Sequence, residues 1–296
     1  MSGKIKIAAS MLIFGSVGIF VKSIPLSSIT IAFLRAIIAV LFLGGFLIIS
    51  KKSPSGERSY IRGRLLPLAI SGALMGLNWV LLFQAYNYTS VGNATLIYYF
   101  APVFVMIFSP FILGESLNKR KVLCILGSLL GLAMVSDLSA LNSGQGISAI
   151  RGTLFALGAA VLYASVVLSN KFIKGVPDME RTLVQMAAAS LVLLPFILAN
   201  GLTNVSSTKS ILAGIAPFQW LLLLTVGILH TGIAYLLYFS GLKDTKAQSA
   251  AIISYLDPVS AVFFAAIFLK ESMMPIQLLG GVLILLFTYL SEKTEQ

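Results

Sequence analysis

The chain has 296 residues, 58% of them hydrophobic and 10% charged, with a formal net charge of +11. A soluble domain carries about 25% charged residues, so this chain has too little charge to cover a soluble fold of its size. The positive balance does not point to nucleic acid, because the basic residues fall in short stretches between long apolar runs, the arrangement that sets membrane topology.

Those runs predict an all-α membrane protein of ten transmembrane helices, since a bilayer core of roughly 30 Å takes about 20 apolar residues per helix. In chain order the segments are 5–22, 28–50, 65–88, 92–113, 119–136, 150–173, 180–200, 217–240, 247–269 and 275–291. The first follows Lys4 and Lys6 as a signal peptide would, yet no small-residue cleavage site comes after it, and it reads as a retained helix. The longest connections, 51–64, 137–149 and 201–216, are too short for a separate domain. Cys124, the single cysteine, lies within an apolar run and has no intrachain partner. Sorted by side, 16 basic residues fall at one membrane face and 4 at the other, with Arg35 inside segment two. That bias predicts both termini on the cytoplasmic side of an inner or plasma membrane. The basic stretch 51–64 fits an orientation signal better than a site for lipid head groups.

An internal repeat organises the ten segments. Segment four contains Tyr99, Pro102, Val103, Glu115 and Ser116; segment nine repeats them as Tyr255, Pro258, Val259, Glu271 and Ser272, at one offset of 156 without a gap. Asn93-Ala94 aligns with Ser249-Ala250 at the same offset, and Gly127 with Gly280 after a small gap. Ser16 and Lys22 of segment one fall opposite Ser165 and Lys171 of segment six. The unit is five spans used twice, over 1–140 and 147–296. An odd number of spans obliges the second copy to insert upside down, giving two inverted repeats. Alternating access about a site near the midplane is the functional consequence.

These motifs, with Phe33-Leu34-Arg35 in segment two and Phe14-Gly15-Ser16 in segment one, resemble the EamA family of the drug/metabolite transporter superfamily over essentially the whole chain. The resemblance implies export or exchange of small metabolites, often amino acids or toxic compounds. It also implies a central cavity lined mainly by segments one, three, four, six, eight and nine.

No Walker sequence, nucleophile elbow or metal-ligand cluster is present, so the sequence carries no sign of an enzyme, a resident cofactor or a metal. An ionisable side chain inside a membrane costs about 2.5–3.5 kcal/mol on insertion scales and faces a cavity or a partner. Asp257 is read as a proton-coupling carboxylate or cation site, against a structural acid that pairs with Arg35 or answers backbone groups freed by Pro258. His230 titrates near neutrality and is a second proton-coupling candidate, against a hydrogen-bonded interior histidine. Arg35 is read as a structural counter-charge, with carboxylate binding as the other reading. Glu115 and Glu271, at segment ends, are read as loop anchors.

Trp79 and Asn78 in segment three, Tyr163 in segment six, and Tyr98 and Tyr99 in segment four gather at matching depths, and Trp79 and Tyr163 lie too deep for an interfacial belt. Together with Gly15, Ser16, His230, Tyr255 and Asp257 they are the expected substrate-binding set. Pro102 and Pro258 remove backbone donors at matching depths and predict paired bends that gate the site. The expected protein is a secondary active transporter that exports or exchanges amino acids or similar amphipathic compounds, with proton coupling and facilitated diffusion both open. A carrier of organic cations or quaternary amines, including uptake, is the alternative; a non-transporting receptor or membrane-embedded enzyme is the alternative of another class. The expected partners are a small-molecule substrate and the lipid bilayer, with the oligomeric state left open.

Overall fold

A computed structural model of the chain describes residues 1–50, 63–89, 91–135, 147–199, 215–268, 270 and 274–293. Among them no strand occurs, and the order of elements is α1 Gly3–Val21, α2 Ser28–Ser50, α3 Leu65–Tyr86, α4 Val91–Tyr98, α5 Ala101–Leu113, α6 Lys119–Val135, α7 Ile147–Asn170, α8 Asp178–Ile197, α9 Pro217–Thr225, a π-helical stretch Val226–Ile233, α10 Ala234–Lys243, α11 Ala247–Ile253, α12 Leu256–Phe268 and α13 Pro275–Lys293. Eight of the helical stretches are long and apolar enough to cross a membrane, and Leu278–Ser291 is a shorter apolar one. The first turn of α6 is Lys119-Arg120-Lys121, a run that belongs at a membrane surface. Large apolar side chains ring the outside: Phe111 is 85% exposed and Ile49 82%. Water would not tolerate that much exposed apolar surface, whereas lipid accepts it. The protein is an integral membrane protein.

Segments four and nine, expected as single helices over 92–113 and 247–269, are each broken. The first breaks between Tyr98 and Ala101, the second between Ile253 and Leu256. Proline lacks an N–H and its ring clashes with the preceding turn, and Pro102 and Pro258 lie just past the two breaks. The chain tightens through both breaks with short-range bonds, Phe100 N–H to the Ile97 carbonyl and Tyr255 N–H to the Ile252 carbonyl, each 3.1 Å. Segment eight, expected over 217–240, changes to π geometry across Val226–Ile233. Its wider turn brings the Thr231 hydroxyl to the Val226 carbonyl at 3.0 Å.

The helices pack in a closed set of pairs: α3 against α7 and α8, α1 against α10 and α12, α2 against α8 and the π stretch, α5 against α7, and α6 against α13. With no hydrophobic drive between helices in lipid, small residues let backbones approach and gain dispersion contact. Gly72 on α3 shows this, since a Cβ there would lie 2.7 Å from the Gln185 Cα of α8. A polar cluster of Ser71, Asn170 and Gln185 ties α3, α7 and α8 together through three bonds of 3.0 Å. The basic stretch at 51–62, together with Glu271 and Ser272, lies outside the described residues.

Gly72→Leu is expected to drive α3 and α8 apart and to cost about 1–3 kcal/mol, the range for overpacking a close contact. A clearly lowered melting temperature in detergent is the expected reading; an unchanged one would show that this contact is not tight.

Candidate functional site

The interior contains a cavity of about 580 Å³, within the roughly 300–1,000 Å³ range of small-molecule sites. Its walls come from α1, α2, α3, α4, α5 and α12, with Tyr163 from α7 and Tyr235 from α10. The lining residues run from Asp257, Tyr99 and Tyr163 in the interior to Lys22, Ser28, Tyr86, Val91 and Ala265 at helix ends. Those ends all lie on the side away from the start of α1 and the end of α13, so the mouth opens opposite the two termini.

The termini's end is closed by polar contacts. Glu115 accepts from the Ala247 and Gln248 backbone N–H groups at 2.7 and 3.1 Å, answering donors that the start of α11 leaves without intrahelical partners. Gly114, left-handed at φ 67°, ends α5 and turns the chain toward that position. Lys171 donates to the Leu242 carbonyl at 2.8 Å and to that of Thr245. Burial lowers the Lys171 ammonium pKa below the usual lysine value, although the carboxylates of Glu115 and Asp244 act to raise it. Lys6 reaches the Ser240 hydroxyl at 2.7 Å, and Lys243 pairs with Asp178 at 2.9 Å.

Of the expected residues, Gly15, Trp79, Tyr98, Tyr99, Tyr163 and Asp257 line the cavity, and so do Arg35 and Pro102. The other four expected substrate-binding residues, Ser16, Asn78, His230 and Tyr255, are not in the lining. Ser16 faces away and meets His230, Oγ to Nε2 at 2.9 Å. His230 is 1% exposed, with Phe20 edge-on at 4.9 Å. Gly15 packs on α12, where a Cβ would fall 2.8 Å from the Asp257 carbonyl oxygen. Adjacent residues of α1 therefore point at His230 and at Asp257 separately, and the two expected proton carriers do not meet. Asn78 is buried and donates to the Ala159 carbonyl at 2.6 Å, which satisfies an amide that would otherwise be costly at that depth. Tyr255 is fully buried in the cluster around Cys124, Ile125 and Ile284, on the face of segment nine opposite the cavity. Pro258 is likewise buried off the wall.

The Arg35–Asp257 pair, the alternative reading of the acid, is not formed among the described residues. The Arg35 guanidinium carbon lies over the Trp79 ring at 4.4 Å from its centroid, while Asp257 and Tyr99 share the cavity wall. Aromatic rings continue the lining: Tyr98 meets Tyr163 edge-on at 5.8 Å, and the Tyr163 hydroxyl donates to that of Tyr238 at 2.8 Å. Sequence reasoning used Lys22 for topology and the repeat and Phe14 for the family motif, and placed neither in the site; both line the cavity. The match of Lys22 with Lys171 was the available signal.

An all-helical membrane protein enclosing a one-ended, charge-bearing cavity of this size belongs to the class of integral membrane transporters. The chain is a member of the EamA-like transporter family, whose model matches residues 1–137 and 150–292. It is 32% identical over 266 residues to the uncharacterized transporter YxxF of Bacillus subtilis, covering 89% of this chain and 81% of that one. An uncharacterized transporter of Archaeoglobus fulgidus is 26% identical over 285 residues, covering 96% of this chain and 93% of its own length. A solved crystal structure with 19% identity superposes with a TM-score of 0.80, covering 98% of this chain and 96% of that chain, and shares the fold.

With Cys124→Ser as background, Ala265→Cys at the mouth is expected to react rapidly with a maleimide in detergent. Thr245→Cys, at a position only 2% exposed, is expected to stay unreacted. Equal rates would show that the cavity is not open at one end only.

Proposed function

We propose that this protein is a secondary active transporter that exports or exchanges small amphipathic metabolites, amino acids or compounds like them, by alternating access. The observation that carries the reading is the cavity itself: closed at the termini's end, open at the other, with Asp257 and Arg35 among aromatic rings in its wall. A charge at membrane depth is retained where it meets cargo or coupling ion. With both termini cytoplasmic, as the charge bias indicates, this is the outward-open state.

The two-fold organisation supports the reading. Under exchange of the two five-span halves the packing maps onto itself: α1 on α12 corresponds to α7 on α5, and α3 on α7 to α10 on α1. The closing contacts have counterparts at the mouth. Lys171 holds the carbonyls of Leu242 and Thr245; the repeat offsets place Lys22 opposite Lys171, and Tyr86 and Thr89 opposite Leu242 and Thr245. Lys22 and Tyr86 both line the open mouth. In the inward-open state Lys22 closes that mouth by the same bonds while Lys171 releases its own. The broken turns before Pro102 and Pro258 supply the bends about which the halves rock.

Asp257 is the coupling residue in this scheme, since its carboxyl faces the cavity and His230 does not. In proteoliposomes under an imposed pH gradient, Asp257→Asn is expected to cut gradient-driven flux about tenfold or more, equivalent to about 1.4 kcal/mol, while His230→Gln leaves it near the starting level. Undiminished flux in Asp257→Asn would remove Asp257 from coupling. Lys171→Gln is expected to loosen the closed end and raise the labelling rate of Thr245→Cys severalfold; no change would show that Lys171 is not part of the seal.

A further inference from the structure

We propose that Arg35 is an anion-binding subsite of the cavity, which receives a carboxylate on the cargo. The proposal rests on the cavity being the cargo site and adds which chemical group the cargo must carry.

Arg35 sits two turns into α2, on the cavity wall. Among the described residues its side chain makes no hydrogen bond and no ion pair, and its Nε is buried without a partner. Buried charges are ordinarily paired, because an uncompensated one bears the full desolvation cost. Asp257, the acid on the same cavity wall, forms no ion pair with it among the described residues. Arg35 therefore presents N–H donors to a cavity without an internal acceptor for them. Its stacking on Trp79 holds the guanidinium plane, which leaves the in-plane fork free to meet two oxygens of a carboxylate side by side.

The surroundings select the rest of the ligand. Phe14, Tyr98 and Tyr163 offer apolar and aromatic surface for the body of the cargo. Lys22, at the mouth, adds a second positive charge to the entry path, which raises the local concentration of anions. The same features count against a quaternary-amine cage. Such a cage uses open aromatic faces, and the Trp79 face is covered by the guanidinium.

Trp79 is also the reporter. With Trp220→Phe it becomes the sole tryptophan, and iodide, which quenches indole on contact, is the probe. In the purified full-length protein, iodide quenching is expected to saturate. Benzoate is expected to displace the iodide, and benzyltrimethylammonium, of similar size and opposite charge, is not. Arg35→Gln is expected to raise the half-saturating iodide concentration about tenfold or more, equivalent to about 1.4 kcal/mol. Arg35→Lys, which keeps the charge but not the fork, should retain iodide saturation and lose preference for benzoate. Linear, non-saturating quenching overturns the proposal, as does displacement by benzyltrimethylammonium rather than benzoate. Both can be read on the chain with native Arg35, whether or not the variants fold. If benzoate displaces iodide but no carboxylate crosses a proteoliposome membrane, the subsite stands and the transport reading of the cavity falls. If carboxylates are transported without saturable quenching, the transport reading stands and the subsite falls.

Discussion

Hydrocarbon offers no hydrogen bonds, and every feature of this fold answers that constraint. Each backbone N–H and C=O at membrane depth must be satisfied inside the protein, so only continuous helix is tolerated unless the break is shielded from lipid. The chain breaks its helices at 99–100 and 254–255 and widens one to π geometry at Val226–Ile233. At the breaks Tyr99 and Ser254 line the cavity and Tyr255 is buried, while the Phe100 side chain is exposed.

The same constraint explains how the polar side chains divide. Ser16, Asn78 and His230 find partners at 2.6–2.9 Å between helices and hold the scaffold. Among the described residues Arg35 meets the face of Trp79 and makes no ion pair with Asp257, and both line the cavity. A group left short of partners in a low-dielectric wall is poised for something that arrives from outside. The cavity's chemistry thus resides in what the fold leaves unsatisfied, and its rigidity in what the fold satisfies.

The two ends of the molecule differ in how they are held. At the termini's end Glu115 and Lys171 close the gap between halves. At the other end, Lys22 lines the open mouth. Two arrangements of one contact set need differ by only a few kcal/mol to be exchanged by a ligand that favours one of them, which is the energetic condition that the proposed alternation requires.

Much of this was legible without coordinates. The apolar runs located the helices to within a few residues because segment length is imposed by bilayer thickness. The 156-residue offset placed Tyr99, Pro102, Tyr255 and Pro258 at matching depths, and the depths of Asp257 and Trp79 singled them out as candidates; both line the cavity. Direction around each helix axis was not legible. In a soluble helix an apolar stripe shows which face turns inward; here lipid and protein interior are both apolar, so the pattern carries no such stripe. Tyr99 and Tyr255 share a depth yet one faces the cavity and the other the interface with α6 and α13. Neighbours Gly15 and Ser16 part company in the same way. The sequence by itself determined how deep each residue lies, because hydrophobic length is a property of one segment. Only the tertiary structure decided which way each residue points and whether Arg35 has a partner, because those depend on side chains brought together from distant parts of the chain.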